Sequence, residues 1–241
     1  MKYGVQMYAI RTLCMQDLEK GIRAAAEIGY EGLEFAGFFG HSAEQVAAWL
    51  EKYHVQALGA HIMLDEICGD TDAVIAYQKK IGNHRIVCPW TDIKTAEDVA
   101  ALAQKLKAVQ PKLTAAGMEL YYHNHAHEFL NRANGEYLLD LLAQQVPELR
   151  LELDVYWIWR GGADPMVYLK KYEGRTGIFH AKDGNLSGGT LAGAGEVDLR
   201  PVCAYAKQHR FDWAIVESEA SEDEQEQLDA IRKDYQYIRS L

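Results

Sequence analysis

Positive charge is scarce in this chain: 25 Lys and Arg stand against 35 Asp and Glu, a formal net charge of −10. That deficit argues against nucleic acid as a partner, since such binding rests on basic side chains neutralising phosphates. It leaves room for a small anion in a local basic pocket. Cysteine is sparse as well. Cys14, Cys68, Cys88 and Cys203 are scattered, with no C-x-x-C pair, which excludes a zinc ribbon and a disulfide framework and reads as idle thiols in a reducing compartment. No apolar run is long enough to cross a bilayer. Met1 leads into a strand-like segment without the basic and apolar regions of a secretory leader, so the expected location is cytoplasmic, with no membrane partner. A Gly-rich phosphate fingerprint after the first strand is missing too: the residues there are Ala9-Ile10-Arg11-Thr12. That counts against an open dinucleotide-binding sheet.

What is present is a repeated alternation. Over 241 residues, 49% of them hydrophobic, short apolar segments recur at Gly4–Tyr8, Gly32–Ala36, Val55–His61, Arg85–Pro89, Met118–His123, Leu151–Val155, Gly177–Lys182 and Ala214–Glu217. Between them lie amphipathic helical patterns, such as Leu18, Ile22, Ala25 and Ala26 on one stripe. Ser42-Ala-Glu-Gln45, Thr95-Ala-Glu-Asp98 and Ser221-Glu-Asp-Glu224 read as capping boxes, and Asp164-Pro165 as an N-cap followed by proline. Successive strand ends fall about 30 residues apart, the length of one βα unit. Eight such units with no room for a second domain predict a single (β/α)₈ TIM barrel over residues 1–241.

Reacting groups of such a barrel lie at the C-terminal ends of its strands. Those ends carry Gln6 and Tyr8, Glu34, His61, Pro89-Trp90, His123-Asn124-His125, Asp154, His180-Ala181-Lys182-Asp183 and Glu217-Ser218-Glu219, where core filling alone would place Val, Ile or Leu. Asp154, His180 and Glu217 each end an apolar run. Two carboxylates and an imidazole from successive strands suit Mn²⁺, Mg²⁺ or Co²⁺ and also fit Zn²⁺.

Gly4-Val-Gln-Met-Tyr-Ala-Ile-Arg11, Ile28-Gly-Tyr-Glu-Gly-Leu-Glu-Phe-Ala36, Tyr122-His-Asn-His-Ala-His-Glu-Phe129, Leu153-Asp-Val-Tyr-Trp157, Gly162-Ala-Asp-Pro165, His180-Ala-Lys-Asp183, Gly193-Ala-Gly-Glu-Val-Asp198 and Val216-Glu217 together resemble the sugar phosphate isomerase/epimerase group of the xylose-isomerase-like TIM-barrel superfamily, in its YHNHxxEF branch. The resemblance covers nearly the whole chain. It implies one divalent metal, Mn²⁺ first, held by a Glu, an Asp, a His and a second Glu from the fifth to eighth strands. Asp154, His180 and Glu217 match the last three. For the first, the strand end carries His123, and either it serves or Glu128 folds back from the following loop; Glu128 is favoured because a second carboxylate keeps the site hard.

The implied activity is isomerisation or epimerisation of a small sugar, keto-sugar or cyclitol, with proton abstraction beside a carbonyl by Glu128, His125 or Glu217 and charge neutralisation by Lys182. Glu34, His61, His123 and Trp157 are candidate substrate contacts. A lyase or dehydratase acting on an inosose or 3-keto-glycoside would share the first step. A non-catalytic sugar-binding barrel is the reading from another class. A DNA-repair endonuclease would want a basic face and more ligands, and an amidohydrolase would want its His-x-His pair on the first strand. The loop Ser187–Gly195 could cradle a phosphate or form a surface lid, the lid being favoured. A homo-oligomer is compatible with the sequence, which fixes no subunit number.

Overall fold

In the computed structural model, which describes residues 1–219 and 221–241, the apolar segments form eight parallel strands. They are β1 (Lys2–Gln6), β2 (Gly32–Phe35), β3 (Gln56–His61), β4 (Arg85–Cys88), β5 (Glu119–His123), β6 (Arg150–Asp154), β7 (Ile178–His180) and β8 (Trp213–Val216). Each pairs with its neighbours in sequence, and β1 pairs with β8, so the sheet closes into a barrel. Helices fill the connections, which is the expected (β/α)₈ arrangement. Among the described residues no helix is long and apolar enough to cross a membrane, and the four thiols are free.

Local chemistry sets the boundaries. β1 stops at Gln6, two residues before the expected end, because the Gln6 side chain accepts the Tyr8 N–H at 3.0 Å and turns the chain into a 3₁₀ segment over Met7–Ile10. Ser42 and Thr95 open their helices through reciprocal capping boxes, and Asp164 caps a helix that begins with Pro165. The third expected box, at Ser221, is a correction. Asp223 caps the last helix instead, accepting the Glu226 N–H at 3.0 Å, while the Ser221 hydroxyl donates to the Glu226 carboxylate at 2.6 Å.

The barrel interior is layered. Leu58, Val87, Tyr121, Ile178, Trp213 and Ile215 form a closed apolar cluster inside the strands. Gly32 makes room for it: a Cβ there would lie 2.7 Å from the Trp213 ring. The apolar layer blocks the barrel from below, so polar side chains one step further along the strands collect in a water-poor basin at the C-terminal mouth.

Candidate active site

Residues two apart on a strand face the same way, and this rule assembles the basin. Tyr121 fills the apolar layer, so His123 points into the barrel above it. Glu152 and Asp154 do the same from β6, His180 and Lys182 from β7 and its extension, and Glu217 from the end of β8. Glu34, Glu152, Asp154 and His180 have no solvent exposure at all.

Two donor groups meet at His180. On its Nδ1 side, His123, Asp154, His180 and Glu217 bring one ligand atom each to within 4.8 Å of one another. Nδ1 lies 2.8 Å from Glu217 Oε2 and 3.7 Å from Asp154 Oδ2, and His123 Nε2 is 3.6 Å from that same oxygen. On its Nε2 side lie Glu34, His61 and Glu152. There His180 Nε2 meets Glu34 Oε2 at 2.7 Å and His61 Nε2 meets Glu152 Oε2 at 2.8 Å, hydrogen bonds as short as that from Nδ1 to Glu217.

The groups differ in which atoms are satisfied. Both ring nitrogens of His123 and Oδ2 of Asp154 are buried without a hydrogen-bond partner among the described residues. Leaving buried polar atoms unpaired costs about 1–3 kcal/mol each, so their convergence marks a place for something else. In the Nε2 group the Oε2 atoms of Glu34 and Glu152 that meet the imidazoles are engaged, and the unpartnered atoms are the Oε1 atoms of the same carboxylates; on the Nδ1 side the converging atoms themselves are the unpartnered ones. The residues on the Nδ1 side therefore fit a divalent cation, with two imidazoles and two carboxylates.

Electrostatics agree with that division. Burial alone would raise the Asp154 pKa, but the nearby His123 and His180 rings and the Lys182 charge bring it down to about 2. Glu217 is likewise held well below the carboxylate range, Lys182 and His180 outweighing burial. Burial would lower the His61 pKa, but Glu34 and Glu152 push it up to about 10. Both carboxylates of the proposed ligand set are thus ionised at neutral pH.

Lys182 is buried, with Nζ 2.7 Å from Glu219 Oε1 and 3.5 Å from Glu217 Oε2, and it lies 4.8 Å over the Trp157 ring. Burial opposes its charge, but Glu217, Asp154 and Glu219 hold its pKa above the usual lysine value. His125 sits beside this group, its ring 4.9 Å from that of His123 and 5.3 Å from that of Trp157. Burial, with His123 adding to it, lowers the His125 pKa to about 2, so the ring is neutral. Its Nδ1 and the Trp157 Nε1 are both buried and unpartnered among the described residues.

Several sequence expectations land elsewhere. Glu128 does not fold back towards the donors. Tyr122, the outward neighbour of His123, donates to Glu128 Oε1 at 2.7 Å, and the His125 N–H donates to Oε2 at 2.9 Å, so the carboxylate is occupied on the outer side of β5. Burial raises its pKa to about 8. His123 stands where Glu128 was expected. Glu34 has no exposure, and its Oε2 serves Gln6 and His180. The His61 ring is committed to the same lower group and stacks on His180 at 5.6 Å. Asp183 turns away from Lys182. Its carboxylate accepts the N–H groups of Gly184, Gly193, Gly195 and Val197 at 2.7 to 3.0 Å, so the glycine-rich loop spends these amides on its own anchor and does not offer them to a phosphate. Glu219, named at its strand end, reaches Lys182. Glu152 joins the lower group without a mark in the strand-end pattern; the period-two rule applied to Asp154 points to it.

Comparison with known proteins follows the architecture. A search of curated proteins finds no match. Among solved structures, the chain is similar to a sugar phosphate isomerase/epimerase from Parabacteroides distasonis ATCC 8503, at 20% identity and a TM-score of 0.88, over 100% of this chain and 99% of that one. It is similar to the IOLI protein with a bound zinc atom, at 16% identity and a TM-score of 0.79, over 100% and 98%. A third is the 3-keto-D-glucoside 4-epimerase from E. coli, at 14% identity and a TM-score of 0.72, covering 100% of both chains. At these identities what is shared is the fold. The family model for the xylose isomerase-like TIM barrel matches residues 22–241, and the chain belongs to that family.

Proposed function

We propose that this protein is a divalent-metal-dependent isomerase or epimerase of a small keto-sugar or cyclitol. One observation carries the reading: His123, Asp154, His180 and Glu217, from the ends of β5, β6, β7 and β8, aim donor atoms at one point, and two of these residues have buried atoms without partners. A bound divalent cation would polarise a carbonyl and acidify the neighbouring C–H. With two nitrogen donors the set is softer than the carboxylate-rich one the sequence suggested, which disfavours Mg²⁺ and brings Zn²⁺ and Co²⁺ beside the Mn²⁺ that the sequence put first.

The chain's own groups supply the rest. Lys182 places a fixed positive charge where an enediolate oxygen develops negative charge, in a basin too dry for water to screen it. His125 is kept neutral by burial and so keeps a lone pair to accept the proton; the charge this puts on the ring is offset by the negative charge forming on the substrate. Glu219, whose pKa burial raises, reaches the mouth from β8. With His125, two residues past the end of β5, it gives the two proton-handling groups that removal and return of a proton from different sides require. His125 Nδ1 and Trp157 Nε1 remain to bind substrate hydroxyls. Glu128 enters this scheme as a support for the His125 backbone, without touching substrate.

The test is solvent-deuterium wash-in with ketoses, inososes and 3-keto-glycosides in the presence of Mn²⁺ or Zn²⁺. Deuterium gained at carbon beside the carbonyl is the expected result. Absence of exchange across the whole panel would reject the assignment, and loss of water or of a glycosyl group would convert it to a lyase.

A further inference from the structure

We propose that Glu34 is a positioning residue that fixes which nitrogen of His180 faces the cation, an inference that rests on the metal site assigned above. Glu34 Oε2 lies 2.7 Å from His180 Nε2 and accepts the Gln6 side-chain N–H at 2.9 Å. Glu152 Oε2 approaches the same Nε2 at 3.3 Å, and His61 holds Glu152 in turn at 2.8 Å. Space for the Glu34 carboxylate depends on Gly59, where a Cβ would lie 2.7 Å from Glu34 Oε1. Both ring nitrogens thus face carboxylate oxygens, Nε2 that of Glu34 at 2.7 Å and Nδ1 that of Glu217 at 2.8 Å. A cation among His123, Asp154 and Glu217 would take the place of the Nδ1 proton, whereas Glu34 keeps the proton on Nε2.

A metal-binding imidazole held through its other nitrogen by a carboxylate is oriented and made more basic, and loss of such a partner typically weakens metal affinity 10–100-fold. The alternative role for this group, a second cation bound by Glu34, His61, Glu152 and Nε2, fits less well. The Oε2 atoms of Glu34 and Glu152, which point at the imidazoles, already have protein partners, and only their Oε1 atoms are unpartnered among the described residues, whereas on the Nδ1 side the converging atoms His123 Nε2 and Asp154 Oδ2 themselves lack partners. Glu34 thus acts through His180, not on the substrate.

Mn²⁺ titration of the full chain, followed by electron paramagnetic resonance, tests this. Glu34→Gln is expected to keep the parent stoichiometry and raise the Mn²⁺ Kd 10–100-fold; Glu34→Asp, which keeps the charge, is expected to do so less. In Zn²⁺-loaded protein the His180 Nε2–H proton resonance, far downfield in the parent, should move upfield in Glu34→Gln. Should Glu34→Gln fail to fold, Glu34→Asp decides. Unchanged affinity in a folded variant overturns the inference while leaving the metal site standing. A fall in stoichiometry from two ions to one, with the tighter ion unaffected, overturns it by making Glu34 a ligand. A parent chain that binds neither Mn²⁺ nor Zn²⁺ removes the metal site itself, and the inference with it.

Discussion

Replacing Asp234 by Asn should make the protein more stable at neutral pH and leave it little changed in acid. Asp234 lies on the last helix (Glu224–Ser240), is 2% exposed, and accepts the Ala192 N–H at 2.8 Å. Burial raises its pKa from 3.8 to about 6, the Asp183 charge adding to the effect and the Ala192 N–H working against it. Between those values the folded chain keeps a proton that the unfolded chain has lost. Stability contributed by the neutral carboxyl is therefore present in acid, falls as pH rises through the window from about 4 to 6, and stays lost above it. A shift of about two units corresponds to about 3 kcal/mol. Asparagine keeps an oxygen for the Ala192 N–H and carries no charge at any pH. Urea unfolding followed by circular dichroism at several pH values measures this as the difference between variant and parent, in which the other titrating groups cancel. That difference should grow in favour of Asp234→Asn by about 2–3 kcal/mol between pH 4 and pH 7.5. A difference that does not vary with pH, or one that turns against the variant as pH rises, would refute the reasoning.

Other perturbations separate the roles assigned above. His123→Ala should weaken Mn²⁺ binding by at least an order of magnitude in equilibrium dialysis, whereas Glu128→Gln should keep the stoichiometry and change affinity little, because only His123 faces the donors. Gly32→Ala should cost about 1–3 kcal/mol of unfolding free energy by overpacking, since its Cβ would meet the Trp213 ring at 2.7 Å; thermal unfolding reads this directly. Lys182→Met should lower kcat for deuterium exchange by about 10²–10³, the cost of removing a preorganised charge-stabilising group, while leaving metal stoichiometry intact. If kcat survives, the lysine holds Glu217 and Glu219 in place and does nothing to the reaction.

The barrel was legible because each strand announces itself as an apolar run ending in a polar residue, and because the βα repeat fixes the number of units. Asp154, His180 and Glu217 were legible for the same reason. His123 against Glu128 was decidable in principle: strand alternation puts His123 on the Tyr121 side and Tyr122 on the other, where Glu128 lies. Ligand hardness alone favours the carboxylate of Glu128, and strand geometry overrides it. Glu152 is hard to read from sequence because it lies one step below the strand end, a position normally filled by packing. What could not be read is the pairing of groups distant in the chain, such as Glu34 with His180 across the barrel, or Asp183 with the amides of a loop that composition alone would leave free.

Metal analysis of the purified chain after saturation with Mn²⁺ or Zn²⁺ and removal of loosely bound ion bears most directly on the central proposal. One ion per chain, lost on Asp154→Ala, is the predicted result. A chain that retains no ion, or that retains it undiminished after Asp154→Ala, would contradict the account.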